Sequence, residues 1–258
     1  MSDYFKDKVV FLTGASSGIG EAIAVDLAKR GVILGLLARR EEMLADLASR
    51  CEAAGGVARI FACDVVDADA VHAAADKLRQ EFGRIDILIA NAGIGGNDEP
   101  TRNYEPAAVR KVVDVNLLGA VNAVHAVVPA MLERGSGHLV GISSLAGFRG
   151  LPRSAAYSAS KAGMTAFFES VRLDVKRRGI DVTIIQPGFI KTPLTAGRHN
   201  KMPFIMELDD AVPHFTRAIE KKKKFAAFPW PLATLVRAGK FMPASVYDWI
   251  AGGARFRE

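Results

Sequence analysis

The sequence predicts an α/β fold: a doubly wound parallel sheet of about seven strands with helices on both faces. Three observations predict it. Apolar runs of strand length alternate with amphipathic helical patterns along most of the 258 residues, the rhythm of repeated βαβ units. A glycine-rich turn joins the first strand directly to the first helix. No long linker or internal repeat interrupts the alternation, and Lys221 to Lys224 is its one biased stretch.

The elements follow in order. Val9-Val10-Phe11-Leu12-Thr13 is an apolar run that empties into Gly14-Ala15-Ser16-Ser17-Gly18-Ile19-Gly20. A helix begins at once, with Ile19, Ile23, Leu27 and Ala28 on one face and Gly31 as its stop. Further buried-strand runs are Val32 to Ala38, Ala58 to Ala62, Ile85 to Ala90, His138 to Ser143 and Val182 to Gln186. Helical patterns fill the gaps at Glu41 to Ala54, Ala68 to Phe82, Glu105 to Leu132 and Ala155 to Arg177. The short run Phe225 to Phe228 suits a seventh, closing strand. Ligands of such a sheet bind beyond the carboxyl ends of its strands.

Composition bounds the answer. The length suits one α/β domain, and a hydrophobic half of the residues suffices for a large core. Cys51 and Cys63 are isolated thiols without metal-ligand spacing, which points to a reducing, cytoplasmic setting and to no metal. The charged N-terminus runs into the first strand without a secretory pattern, and no uninterrupted apolar run reaches the ~20 residues of a spanning helix. A net charge of +6 suits an anionic cofactor better than nucleic acid.

Two motifs carry chemistry. Strand, glycine turn and helix form the context of a dinucleotide site, where glycines admit the pyrophosphate and the helix N-terminus offers unpaired N–H groups and positive dipole. The spacing is G-x-x-x-G-x-G rather than G-x-G-x-x-G. Farther on, Tyr157 and Lys161 lie one helical turn apart, thirteen residues after a strand that ends Ile142-Ser143-Ser144. Positions i and i+4 share a helix face. A cation beside a phenol favours the phenolate and makes it a usable acid/base near neutral pH.

With these motifs the chain resembles the short-chain dehydrogenase/reductase family, over roughly three quarters of its length from Lys8 to Thr192. The family's T-G-x-x-x-G-x-G is Thr13 to Gly20. Its Asn-Ala-Gly is Asn91-Ala92-Gly93, preceded by Ala90 where many members have a second Asn. Its active-site Asn and Ser match Asn116 and Ser144, its Tyr and Lys match Tyr157 and Lys161, and its Pro-Gly motif runs from Pro187-Gly188 to Thr192. The resemblance implies a Rossmann-type fold. It also implies a dinucleotide held by Gly14, Ser16, Ser17, Gly18, Ile19, Gly20, Asp64, Val65, Asn91, Ala92, Gly93, Tyr157, Lys161, Pro187, Gly188, Ile190 and Thr192. Tyr157 then exchanges a proton with the substrate oxygen, Ser144 hydrogen-bonds that oxygen, Lys161 holds the nicotinamide ribose, and Asn116 supports a proton-relaying water. Ser143 competes for the serine role, but Ser144 keeps the family spacing.

Cofactor choice is argued at the end of the second strand. A carboxylate there grips the ribose hydroxyls of NAD(H), whereas this chain has Ala38-Arg39-Arg40. A guanidinium binds a 2′-phosphate bidentately, so NADP(H) is expected ahead of NAD(H), with Arg39 the first contact and Arg40 the second.

The substrate is expected to be a medium-sized, largely apolar carbonyl or alcohol. Phe148, Leu151 and Phe189 should face the cleft with Ser144 and Tyr157. A lid is expected between Thr192 and Asp209, mixing Leu194, Met202, Phe204, Ile205 and Met206 with Arg198, His199 and Lys201. The chain thus divides into a core (8–192), a lid and helix (193–224) and a C-terminal strand and arm (225–258). The arm carries Leu232, Leu235 and Val236 in a helical pattern, with Trp230, Phe241, Trp249 and Ile250. This apolar load predicts an arm packed on the body or on a second subunit and a protein that is at least a dimer, and the family resemblance implies a homodimer or homotetramer. Lysines and tryptophans together keep open a peripheral membrane foot. His125, His138 and both cysteines form no chemical grouping. A non-catalytic dinucleotide sensor or scaffold is the competing function on this fold, and the intact Asn116, Ser144, Tyr157 and Lys161 set favours the enzyme.

Overall fold

Strand order explains where a ligand enters. The computed structural model describes residues 4–96, 103–196 and 202–253. Its strands are β1 (Val9–Thr13), β2 (Ile33–Ala38), β3 (Val57–Ala62), β4 (Ile87–Ala90), β5 (Gly137–Ile142), β6 (Ile180–Pro187) and β7 (Phe225–Phe228). They form one parallel sheet in the order β3-β2-β1-β4-β5-β6-β7. The chain winds outward from β1 to β3, then returns to build β4 to β7 on β1's other side. The crevice at this reversal, beyond the carboxyl ends of β1 and β4, is where such a sheet receives a ligand.

The apolar runs are strands because both of their faces are covered. All of β1 and β4 is buried. On one side lie α1 (Gly18–Ala28), α2 (Glu41–Ala53) and α7 (Leu208–Glu220), which contribute Ile23, Leu27, Leu44, Leu47, Phe215 and Ile219 to a continuous core. On the other lie α3 (Ala68–Phe82), α5 (Gly119–Arg134) and α6 (Ala155–Val175), with Val71, Leu78, Ala123, Val127, Met164 and Phe168. Ile85 and Asp86, expected within the fourth strand, fall outside it. Asp86 instead accepts the Val9 N–H at 2.9 Å and pairs with Arg84.

The unbroken helix expected over Glu105 to Leu132 is not observed. α4 (Pro106–Val113) passes into a π-helical turn (Asp114–Leu118) before α5 begins. A π turn inserts one residue and re-aims the side chains around it. Here it holds Asn116, fully buried, against the chain beyond β4. The whole stretch from Pro106 to Arg134 is long and apolar enough to cross a membrane by composition alone. In this fold it is a core helix, with Val112, Val115, Ala120, Ala123, Val127 and Met131 buried.

The arm forms α8 (Trp230–Lys240) and α9 (Ala244–Gly253). Leu232 and Ala233 face inward with Val236 beside them. Leu235, expected on the same face, is exposed. The arm is therefore seated on the body, as expected, yet the body leaves Trp230, Phe241 and Trp249 at 76%, 87% and 79% exposure. Lys221 to Lys224 precede β7 and Trp230 follows it, so a four-residue strand of roughly 13 Å lies between the lysines and the first arm tryptophan.

The histidines do have partners. His138 is buried between Tyr4 Oη and Thr183 Oγ1, each at 2.8 Å. Desolvation pushes its pKa down to about 4 and that of Tyr4 well up. His125, expected to stand alone, meets His72 at 2.7 Å across α3 and α5. Both cysteines are free thiols, and among the described residues no cluster suits a metal ion.

Candidate active site

The site is assembled from strand ends. Thr13, the last residue of β1, accepts the N–H groups of Asn91 and Ala92 on its hydroxyl, both at 3.1 Å. Asn91 returns its carboxamide N–H groups to the Thr13 and Gly14 carbonyls at 3.1 Å. This reciprocal tie sets the glycine turn against the end of β4. Gly14 has φ +67°, and a Cβ there would lie 2.6 Å from Ala92 Cα, so no side chain fits. A Cβ on Gly20 would lie 2.3 Å from the Gly14 carbonyl oxygen. On the far side, Gly18 lies against Thr192, its hypothetical Cβ 3.3 Å from the threonine Cβ. The turn after β6 thereby meets the turn after β1.

A second corner forms beyond β4 and β5. The Ile94 N–H donates to Asn116 Oδ1 at 2.7 Å, and Asn116 Nδ2 donates to Ile94 O and Ser160 Oγ, each at 3.0 Å. Lys161 is only 4% exposed, and its ammonium donates to the Ile142 carbonyl at 2.9 Å. Burial lowers its pKa to about 8. The same nitrogen lies 5.9 Å from the Tyr157 ring centroid, as the i, i+4 spacing on α6 requires. Gly93 completes the corner, its hypothetical Cβ 3.3 Å from Asn116 Oδ1 and 3.5 Å from Lys161 Nζ.

The two serines are separated by their surroundings. Ser143 is buried with its hydroxyl bonded to the Lys161 carbonyl at 2.9 Å and to Thr165 Oγ1 at 2.8 Å. Ser144 starts a 3₁₀ turn (Leu145–Gly147) and accepts the Ala146 N–H at 3.1 Å. Its oxygen keeps bonding capacity that Ser143 has spent inside the fold.

Comparison with known proteins decides the family. The family model described as short chain dehydrogenase matches residues 8–203. The chain is a short-chain dehydrogenase. It is 43% identical to an uncharacterized oxidoreductase of Myxococcus xanthus (strain DK1622) over 93% of this chain and 95% of that one. It is 38% identical to cis-4-hydroxycyclohexanecarboxylate dehydrogenase of Sinomonas cyclohexanicum, over 76% of this chain and 79% of the relative. A metagenomic short-chain oxidoreductase solved in complex with NADP superposes with TM-score 0.75 at 31% identity, covering 87% of this chain and 96% of that one. The family uses NAD(P), acts on small molecules and usually oligomerises.

The residues of this dehydrogenase fit a dinucleotide. The glycine-rich turn from Gly14 to Gly20 and the N-terminus of α1 present backbone to the crevice. Beside it a groove of about 470 Å³ is lined by Arg39, Asp64, Val66, Arg110, Lys111 and Val115. Arg39 Nη1 lies 3.7 Å from Asp64 Oδ2, and Asp64 Oδ1 accepts the Val66 N–H. The N-cap of α3 is Asp67, not Asp64. Val65 turns its side chain into the core and offers only backbone outward. Arg40 spans the turn, donating to Ser16 Oγ and Ser17 Oγ at 2.8 Å each. Ile19 packs against the core, and so does Ile190, which bridges to Met206.

The substrate side of the dehydrogenase is partly as expected. Phe148 and Phe189 pack with Leu145, Leu232 and Ala233, and Leu151 is exposed. Gly188 lies beneath α8, and Pro187 pairs with Phe228 in the sheet. In the expected lid, Leu194 and Phe204 are exposed while Met206 packs against the core; Arg198, His199 and Lys201 lie outside the described residues. Sequence reading placed Thr13 only as the start of the glycine motif, and missed Ile94, Ser160, Arg110 and Lys111. The two cations resemble any basic last turn of a helix.

Proposed function

We propose that this dehydrogenase is an NADP(H)-dependent oxidoreductase that interconverts a carbonyl and a secondary alcohol on a medium-sized, largely apolar substrate. Tyr157 is its general acid/base. The observation that carries the proposal is the corner of Tyr157, Lys161, Asn116 and Gly93, in which a buried ammonium lies beneath a phenol at the strand ends. When bound, the nicotinamide supplies or accepts the hydride. In reduction, Tyr157 Oη gives a proton to the substrate oxygen as charge develops on it, and Ser144 Oγ donates a hydrogen bond to that oxygen. Preorganised donation of this kind is commonly the largest catalytic term. Lys161, held by the Ile142 carbonyl, stabilises the phenolate left on Tyr157. Asn116 fixes the chain at Ile94 and so keeps Gly93 flat against the ammonium.

Arg40, backed by Ser16 and Ser17, is assigned to the 2′-phosphate, and Arg39 and Asp64 to the adenosine end. The core, lid and arm divide at 192 and 224 as the sequence suggests. The exposed aromatic face of the arm supports a homo-oligomer. A panel of carbonyls and alcohols followed at the reduced-nicotinamide absorbance, with each cofactor, tests the reading. Expected is NADPH oxidation with apolar cyclic ketones. No turnover with any member of the panel would overturn it.

A further inference from the structure

The family match ends at residue 203, so α8 and α9 lie beyond the pattern that defines the fold. They are nevertheless fastened to the turn that carries Ser144. Arg149 Nη1 donates to the carbonyls of Gly239 and Met242 at 2.6 and 2.8 Å, at the C-terminal end of α8. The Gly239 carbonyl also accepts the Met242 N–H at 3.2 Å, so the guanidinium shares it with the helix end, and the negative end of the helix dipole favours a cation there. The same guanidinium lies 3.9 Å from the centroid of the Tyr247 ring, on α9, within cation–π range. Tyr247 Oη answers by donating to the Gly150 carbonyl at 2.7 Å. Adjacent residues of the turn thus reach out to the arm and are reached by it.

An apolar contact backs this latch. Leu232 and Ala233 of α8 pack on Leu145, with Phe148 and Phe189 at the edge. Leu232 also closes on the turn after β6, since a Cβ on Gly188 would lie 2.8 Å from its Cδ2. The two loops expected to wall the substrate therefore rest on one helix from outside the family core.

Resting on the function proposed above, we infer that Arg149 and Tyr247 form a latch through which the C-terminal helices position the Ser144 turn, making the arm a specificity-determining wall of the substrate site. Arg149 is a positioning residue; it touches no reacting atom. The latch acts through Ser144, Phe148 and Phe189. It should therefore govern substrate fit and leave the cofactor site, on the opposite side of the crevice, alone.

The test uses the full chain with Arg149→Ala, Arg149→Lys and Tyr247→Phe. Expected for Arg149→Ala is a fall in kcat/KM of about ten- to a hundredfold, mostly in KM and larger for bulky ketones than for cyclohexanone, with KM for NADPH within about twofold. Arg149→Lys should recover part of the loss. In a Ser144→Ala background, Arg149→Ala should add little, because the two act in series. Hydrogen exchange gives a readout independent of turnover: amides of residues 144–151 and 230–250 should exchange about tenfold faster while the strands stay protected. If Arg149→Ala does not fold, Tyr247→Phe carries both readouts. Unchanged kinetics together with unchanged exchange would overturn the latch. Faster exchange without any change in substrate KM would overturn its role in specificity. A wild type inactive on every substrate would instead overturn the function and the specificity role, and exchange alone would then decide the latch.

Discussion

Replacing Arg40 with alanine should remove most of the preference for NADP(H), and replacing Arg39 should remove less. The sequence reading puts Arg39 first; the ranking predicted here rests instead on the contacts each guanidinium makes. Arg40 donates to both serine hydroxyls of the glycine turn at 2.8 Å, so its guanidinium is fixed at the mouth of the pyrophosphate crevice. Arg39 has the Asp64 carboxylate 3.7 Å away, which cancels part of its field. Two unit charges ~4 Å apart interact by ~1 kcal/mol in water and ~4 kcal/mol at an effective dielectric of 20. Arg40 lies at the surface with one edge on the buried Ser16. That places its contact with a 2′-phosphate near the lower part of this range, about 1–3 kcal/mol, or roughly five- to a hundredfold. The assay is kcat/KM for NADPH and NADH with wild type, Arg39→Ala and Arg40→Ala, repeated at raised salt, where an exposed contact should weaken. Expected is a loss with NADPH alone, larger for Arg40→Ala. The reasoning fails if the unmodified enzyme uses both cofactors equally, if Arg39→Ala is the costlier change, or if Arg40→Ala weakens both cofactors alike.

Tyr157→Phe keeps the ring over Lys161 and deletes the proton donor, so turnover should fall by about a hundredfold or more with cofactor affinity held; a variant with half the activity removes Tyr157 from the mechanism. His138 makes stability depend on pH: the unfolded chain binds its proton below ~6.5, whereas the folded chain resists to about 4. Stability is therefore full above the unfolded value and declines as pH falls between the two, by about 3 kcal/mol in all. Urea unfolding at pH 7.5 and 4.5 of wild type and His138→Gln should show a smaller decline in the variant, and equal declines would refute it. The arm should make the protein an oligomer by light scattering, insensitive to salt and indifferent to anionic vesicles, because six large apolar side chains from Trp230 to Ile250 stay exposed on the single chain. A monomer that sediments with vesicles would make the arm a membrane foot.

The strands were legible because parallel strands covered on both faces read as unbroken apolar runs, and Val9–Thr13 and Ile87–Ala90 are such runs. Tyr157 and Lys161 were legible because a helix guarantees what i and i+4 share. What was hidden depends on long-range closure. The π turn at Asn116 is required by Ile94 and Ser160, which approach from 22 and 44 residues away. Arg39 and Arg40 are neighbours in sequence yet leave the strand end in different directions, and no periodicity ranks them. The pairs His72–His125 and Arg149–Tyr247 join residues whose chemistry is ordinary until the fold brings them together.

The buried polar groups show how the site holds its shape. Thr13, Asn116, Ser143, Ser160 and Gln186 are almost wholly buried, and burying such groups without partners costs ~1–3 kcal/mol each. The hydroxyls and carboxamides of the first four answer backbone or one another: Thr13 and Asn91 tie β1 to β4, Asn116 ties the π turn to Ile94, and Ser143 ties β5 to α6. The first tie crosses the crevice, so loosening it displaces both walls at once, while the other two brace the side built on β4 and β5. Lys161 is the exception that gives this rigidity a use. Its charge is buried against the Ile142 carbonyl, with the Met164 thioether at 3.9 Å and the Tyr157 ring beside it, an environment that penalises the ammonium and lowers its pKa. A phenolate on Tyr157 or the hydroxyls of a ribose would relieve that penalty. Burial thus penalises the charge of Lys161 beside the Tyr157 ring, as the proposed proton-transfer role requires.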